Sequence, residues 1–351
     1  MNRSERNPGL SPFALFVAFN TLLLIALGGL VTSKGVGMAV PDWPTTYGDN
    51  MFLYPVSKWT GGIFYEHTHR LMGSWVGLLT LTLSGWLGFK ERRAWLRKLG
   101  WLAFGMVCLQ GLLGGLRVTL MKDEIGIVHA ALAQSFFVLV CLIALFTSRL
   151  WKRVQPSRTS GTLVHAYAFG AGLVFLQLLL GATMRHQHAG LAVPDFPLAY
   201  GQLWPSTDPV TLQAINLAHA DHTITSFQIY LHMVHRIGAL VLLVASIWIT
   251  RKTLLRLSPG SRLGKATVFW QVMIVGQALL GAATVWTGRQ PITTTLHVVM
   301  GACCFAGAVL LTTIARRKLW LVRDGHSTAA PVTATPRRRF SQVPGVAATV
   351  P

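Results

Sequence analysis

Eight long stretches of this chain carry almost no charge, and no other feature limits its fold so strongly. Charge-free windows run through 7–33, 71–89, 99–116, 125–148, 159–184, 266–288 and 290–315. An eighth apolar stretch, 229–250, is interrupted only by Arg236 near its start. A helix crosses a bilayer with about 20 apolar residues, so each stretch is long enough to span, and Arg236 can snorkel to the interface. Only 12% of the 351 residues are charged, about half the usual fraction in soluble globular proteins. The expected fold is therefore all-α and integral to a membrane, with eight transmembrane helices. A disulfide-stapled miniprotein, collagen and a disordered tail protein are excluded.

The net charge of +20 raises the question of nucleic acid, and the placement of the basic residues answers it. Most of the 31 lysines and arginines lie in the N-terminal segment (Arg3, Arg6), in Lys90–Lys98, Arg149–Arg158 and Arg251–Lys265, and in the tail from Arg316. The opposite side keeps Lys34, Lys58, Arg70, Arg117, Lys122, Arg185, Arg236 and Arg289. Cytoplasmic loops are enriched in basic residues, which places both termini in the cytoplasm, in agreement with an even number of spans. The charge is a topology signal, with anionic membrane lipid as partner and no nucleic acid. The first helix follows a short basic segment like a signal sequence, but no small-residue cleavage site follows, so it is kept in the mature protein.

A repeat divides the chain. Ala39-Val-Pro-Asp-Trp-Pro44 with Tyr47-Gly48 recurs as Ala192-Val-Pro-Asp-Phe-Pro197 with Tyr200-Gly201, each after a Gly-rich helix end, Gly28 onward and Gly181 onward. His69-Arg70 recurs as His235-Arg236, Gln110-Gly-Leu-Leu-Gly114 as Gln277-Ala-Leu-Leu-Gly281, and His129 as His297. Four helices per half give both copies one orientation, a parallel repeat of two four-helix bundles about an axis along the membrane normal. The expected organisation is an N-terminal segment 1–11, a first bundle 12–150, a linker 151–162, a second bundle 163–315 and a disordered cytoplasmic tail 316–351.

His69, His129, His235 and His297 fall at the outer ends of the second, fourth, sixth and eighth spans. Ionisable side chains inside apolar helices are costly and mark function. Two histidines from different helices of one bundle are what a haem held between two axial imidazoles requires. Zinc is the rival, although two histidines per half fall short of its usual ligands unless Glu66, His67 or His232 join; copper is a weaker alternative. The halves differ beside the first histidine: Glu66 stands at i−3 from His69, His232 at i−3 from His235. A carboxylate there can assist proton transfer, which makes the first half the candidate for chemistry and the second for a permanent cofactor. Arg70 and Arg236 are read as partners of haem propionates.

The Pro-Asp-aromatic-Pro segments are stiff and stand as lids, with Asp42 and Asp195 read mainly as loop-shaping residues. His186, His188, His219 and His222 are read as loop residues, with a transient role in metal binding or haem uptake as the alternative. Cys108, Cys141, Cys303 and Cys304 are expected to pack as small apolar residues. Gly73/Gly77 and Gly111/Gly115 are expected to permit close helix packing.

The repeat, the segment Glu66-x-x-His69-Arg70, the paired Pro-Asp-Trp-Pro and Pro-Asp-Phe-Pro loops and the four outer histidines together resemble the haem A synthase family, over about residues 12 to 315. The resemblance implies an oxidoreductase acting on a CH or CH2 group, which oxidises the ring D methyl of haem O to a formyl by successive hydroxylations for terminal oxidase assembly. It implies that His235 and His297 hold a haem b (iron) cofactor. The site between His69 and His129 would take the haem O substrate, with Glu66 assisting. Some bacterial members carry an outer-loop cysteine pair; this chain has none and is similar to the cysteine-free branch. The short basic N-terminus favours a bacterial inner membrane, multi-pass, with haem sites toward the periplasm. Haem O synthase and an electron-transfer partner are implied by the family, and a homo-oligomer stays open. The alternative is a di-haem b transmembrane cytochrome that only passes electrons.

Overall fold

The computed structural model describes residues 9–157, 161–218 and 223–323. Ten α-helices follow in order: α1 Leu10–Ser33, α2 Gly61–Lys90, α3 Ala94–Thr119, α4 Glu124–Thr147, α5 Arg149–Lys152, α6 Gly161–His186, α7 Pro209–Ala218, α8 Ser226–Arg256, α9 Arg262–Trp286 and α10 Pro291–Arg323. Eight of them are long and apolar enough to cross a membrane: α1–α4, α6 and α8–α10. The expected all-α membrane fold with eight spans is what the chain forms. A helix satisfies its backbone hydrogen bonds within the segment, the condition that hydrocarbon imposes.

Helix ends depart from the charge-free windows where charges neutralise each other. α2 begins at Gly61, a full ten residues ahead of its window, because Glu66 and Arg70 pair at 2.8 Å across one turn. α10 runs on to Arg323, past the expected boundary at 315. The expected disorder of 324–351 lies outside the described residues, as do His219 and His222. α7, read from sequence as loop, is a short helix started by Asp208, whose carboxylate accepts from the N–H groups of Val210 and Thr211 at 3.0 Å. Asp-Pro at a helix start is a legible signal.

Each group of four spans closes a ring. α1 packs on α2 and α4, and α3 on the same two; α6 packs on α8 and α10, and α9 on the same two. The rings meet where α10 lies on α1 and α4, and α4 on α6. One apolar core fills the first ring and takes in Ala302 and Ala306 of α10. A second fills the other ring around Tyr167, Ile249 and Trp270. A third lies under the outer loop of the second half, where Ile215 of α7 packs with Val193 and Ile229. Leu78, Trp101, Phe169, Val244 and Phe269 remain exposed on the outside, as a lipid-facing surface requires.

The expected small-residue packing is corrected at three positions. A Cβ at Gly73, Gly77 or Gly111 would meet open space, so these glycines bring no helix close. Gly115 is crowded, but by the indole of Trp43 from the loop after α1. The four cysteines are free; Cys304 is buried and Cys108 exposed.

Candidate functional site

The two Pro-Asp loops have the same internal geometry. The carboxylate of Asp42 accepts from the N–H groups of Tyr47 and Gly48, both at 2.8 Å, and that of Asp195 from Tyr200 and Gly201 at 2.7 and 2.8 Å. These bonds hold Tyr47 and Tyr200 at φ 52° and let Gly48 and Gly201 take positive φ. Each tyrosine hydroxyl reaches back to a loop carbonyl, Tyr47 to Ala39 at 2.6 Å and Tyr200 to Ala192 at 2.7 Å. Burial by itself would raise both carboxyl pKa values, but these N–H donors outweigh it and hold them below the usual range. Both aspartates shape their loops, as the sequence suggested.

The guanidinium on the following helix clamps each loop. Arg70 gives all four terminal N–H donors: to the carbonyls of Asp42, Thr45 and Val40 at 2.6, 3.1 and 2.7 Å, and to Glu66 Oε1 at 2.8 Å. Arg236 donates to Leu198, Val193 and Asp195 carbonyls at 2.8, 3.1 and 2.6 Å. The geometry engages both arginines with loop backbone, whereas the sequence offered them to propionates. Glu66 and His232 have a shared task that the sequence did not reveal. Glu66 Oε2 accepts the N–H of Val40 at 2.9 Å, and His232 Nδ1 accepts that of Val193, the equivalent loop residue, at 3.3 Å. Both side chains are buried, at 3% exposure, where an unpaired backbone N–H would be costly.

Below these clamps the four repeated histidines come together in pairs. The rings of His69 and His129 are within electrostatic reach of each other, and so are those of His235 and His297. Each ring lies against a glycine of a neighbouring helix. A Cβ at Gly28, Gly114, Gly181 or Gly281 would sit 3.0, 3.4, 3.1 or 3.0 Å from Cε1 of His69, His129, His235 or His297 respectively. Both Gly-rich helix ends and both Gln-x-x-x-Gly motifs thus have one physical reason: a bare backbone on which an imidazole can rest.

What holds the rings differs between halves. His297 Nδ1 donates to the carbonyl of Gln277 at 3.2 Å. The amide of Gln177 lies 3.1 Å from His235 Nδ1 and 2.8 Å from the His235 carbonyl. In the first half Nδ1 of His69 and of His129 is buried with no completed hydrogen bond, although the carbonyls of Leu24 and Gln110 are close enough to act on the rings. Gln110 donates instead to the His129 carbonyl at 3.0 Å. Gln177 was missed in the sequence; the legible signal was a lone amide in an apolar helix, at the repeat position where the first half has Leu24.

His186 is also corrected. It ends α6, is buried, and presses on Gly126 of α4, one turn before His129. His188 Nε2 lies 3.6 Å from Asp123. Among the described residues no group of three or more His, Cys, Asp or Glu side chains converges.

An eight-span helical membrane protein with two pairs of imidazoles near one end, each pair under a clamped loop, is the class that fold and site define. The chain belongs to the COX15-CtaA family, described as cytochrome oxidase assembly protein, whose model matches residues 11–311. It is similar to the heme A synthase of Shouchella clausii, 29% identical over 296 residues, or 81% of this chain and 89% of the relative. It is also similar to the heme A synthase of Alkalihalophilus pseudofirmus, 24% identical over 315 residues, or 87% and 97%.

Proposed function

We propose that this chain is a haem A synthase. It oxidises the ring D methyl of haem O to a formyl group by successive hydroxylations, and the product serves terminal oxidase assembly. Family membership and the two imidazole pairs on glycine rests support this reading. The carrying observation is the difference between the pairs: the Gln177 amide lies 3.1 Å from His235 Nδ1 where the first half has Leu24, and Glu66 stands one turn before His69 where the second half has His232.

The residues fit haem. Each pair supplies two imidazoles from different helices, the number that a haem iron takes on its two faces. A ligating histidine is oriented by an acceptor at its other ring nitrogen. His297 has that arrangement through the Gln277 carbonyl; His235 is oriented instead by Gln177 Nε2–H, which donates to the His235 carbonyl at 2.8 Å and faces Nδ1 at 3.1 Å. His235 and His297 therefore bind a permanent haem b. His69 and His129 bind the haem O substrate, which must enter and leave, and a less restrained pair suits exchange.

Bound haem supplies the one-electron redox chemistry; the chain positions it and manages protons. Glu66 stands one turn before His69, fixed by Val40 N–H and Arg70, and acts as the carboxylate beside the reacting substrate. Arg70 and Arg236 act through the loops that they clamp. The two rings are a parallel repeat with both termini in the cytoplasm of a bacterium, and the haem sites lie toward the periplasmic face. The di-haem electron carrier is the weaker reading, because two equivalent carriers need no contrast of Glu66 with His232 or of Leu24 with Gln177.

The test is the mass of haems extracted from membranes of cells that make haem O, with and without this chain. A haem A or hydroxymethyl-haem peak that depends on the chain is expected. Haem b and haem O alone, with the protein folded and haem-loaded, would favour the electron carrier.

A further inference from the structure

Where the two rings meet, just beyond the imidazoles, three arginines converge. Arg117 bonds Asp123 at 2.8 Å, Asp123 faces His188 at 3.6 Å, and the Arg289 stem lies against Gly190 two residues on, so Arg117 and Arg289 both meet the loop that follows Arg185, which feels the charge of each. Arg185 of α6 stands one turn beyond Gly181, the rest of His235; Arg117 stands one turn beyond Gly114, the rest of His129. Arg289 lies eight residues beyond Gly281, the rest of His297, in the turn that follows the end of α9 at Trp286. With a rise of about 1.5 Å per residue, Arg117 is about 4.5 Å and Arg185 about 6 Å past its glycine along the helix.

The charges at this junction do not balance. Asp123 answers Arg117 at 2.8 Å and is held ionised: burial raises its carboxyl pKa, but Arg117 together with His186 and His188 brings it below the usual value. Arg117 Nε is nevertheless buried without a partner. Arg185 donates only to neutral oxygens, the carbonyl of Gly29 at 2.6 Å and Ser33 Oγ at 2.7 Å, both on α1. Arg289 folds its stem over Gly190. Like charges held together at low dielectric are costly unless an anion compensates them.

We propose that Arg185 and Arg289, with Arg117 across the junction, form a carboxylate site that takes the propionates of the haem held by His235 and His297. This rests on the haem reading above and replaces Arg70, whose four terminal N–H donors are taken by its loop and Glu66, and Arg236, three of whose donors its loop takes. Arg117 and Arg185 stand on the same helices as the rests of His129 and His235, and Arg289 in the turn that continues α9, all displaced toward the loops, where the polar edge of a macrocycle between His235 and His297 would emerge. Guanidinium and carboxylate match in shape as well as charge. Because Arg185 also grips α1 beside Gly28, the rest of His69, the same contact braces the second site against the first.

The test compares iron protoporphyrin IX with its dimethyl ester, which keeps the ring and iron but lacks both carboxylates. The probes are titrated into the full chain, purified in detergent from haem-deficient cells, and followed by the low-spin spectrum. Wild type is expected to bind the free acid about tenfold more tightly than the ester. Arg185→Gln and Arg289→Gln should each bring that ratio toward one with ester binding unchanged, and Arg185→Lys should restore part of it. If Arg185→Gln loses both probes, its bonds to α1 are needed for folding, and Arg289→Gln decides. A preference that survives in Arg289→Gln overturns the proposal. So does a preference that added anionic phospholipid abolishes in wild type, which would make the arginines a lipid headgroup site. Absence of any His235-dependent low-spin spectrum with either probe would overturn the haem reading itself, and this site with it.

Discussion

Leu24 in the first half and Gln177 in the second occupy the same place on the first span of their rings; Gln177 turns its amide to His235, while Leu24 offers His69 only its backbone carbonyl. The amide bonds His235 at 3.1 Å, while the first half leaves His69 Nδ1 uncompleted. One turn outward, Glu66 with Arg70 forms a buried ion pair, while His232 with Arg236 leaves Arg236 Nε unpartnered. The loops above share their Asp, Tyr and Arg bonds, although Thr45 and Thr46 add bonds to Asp42 and His67 that Leu198 and Ala199 cannot make. A duplicated backbone plan was thus kept, and the polar side chains that touch the rings diverged. A restrained pair suits a resident cofactor; a less restrained pair beside a carboxylate suits a ligand that reacts and leaves.

Deleting ring nitrogens tests that contrast most severely. His235→Ala or His297→Ala should abolish the low-spin haem b spectrum of the purified protein. His69→Ala and His129→Ala should keep it and lose conversion of haem O. Equal loss of haem b from all four would end the division of roles. Next in size, Glu66→Gln keeps an acceptor for Val40 N–H but removes the charge, and should slow haem A formation about a hundredfold. Haem b should stay bound; its loss would give Glu66 a structural role only.

Gln177→Leu makes the second site like the first, and haem b affinity should fall about tenfold, as for other partners of metal-bound histidines. The reverse change, Leu24→Gln, should slow product release, read as haem A copurifying with the protein. Smallest is the loop. The carboxyl pKa of Asp195 is depressed in the fold, so its contribution is present above the unfolded value and disappears as pH falls through the folded one. Proteolysis within 192–201 should therefore speed up below about pH 4, and Asp195→Asn should show that faster cleavage at neutral pH. Cleavage independent of pH in wild type would remove the aspartate from the account.

Much of this was legible because membrane constraints are read along one dimension. Charge-free runs gave seven spans and a run broken only by Arg236 the eighth, since hydrocarbon excludes charge; α2, begun at Glu66 in the sequence, starts five residues earlier at Gly61, where no charge or apolar run marks its start. The repeat was legible as recurring motifs, and the four histidines as ionisable residues at one depth. The glycines were noticed, but not their purpose, although the repeat separates them: Gly114, on which a ring rests, recurs as Gly281, while Gly111, which faces open space, is replaced by Ala278.

The sequence by itself determined the membrane class, the number of spans and the identity of the paired histidines, because hydropathy and duplication are properties of the chain alone. Only tertiary structure decided what the polar groups between spans do. Arg70 and Arg236 turned to loop carbonyls, Glu66 and His232 took one shared N–H task, and Arg117, Arg185 and Arg289 met at the junction of the rings. Hydrogen bonds and ion pairs form over a few ångströms in space, between residues far apart in sequence.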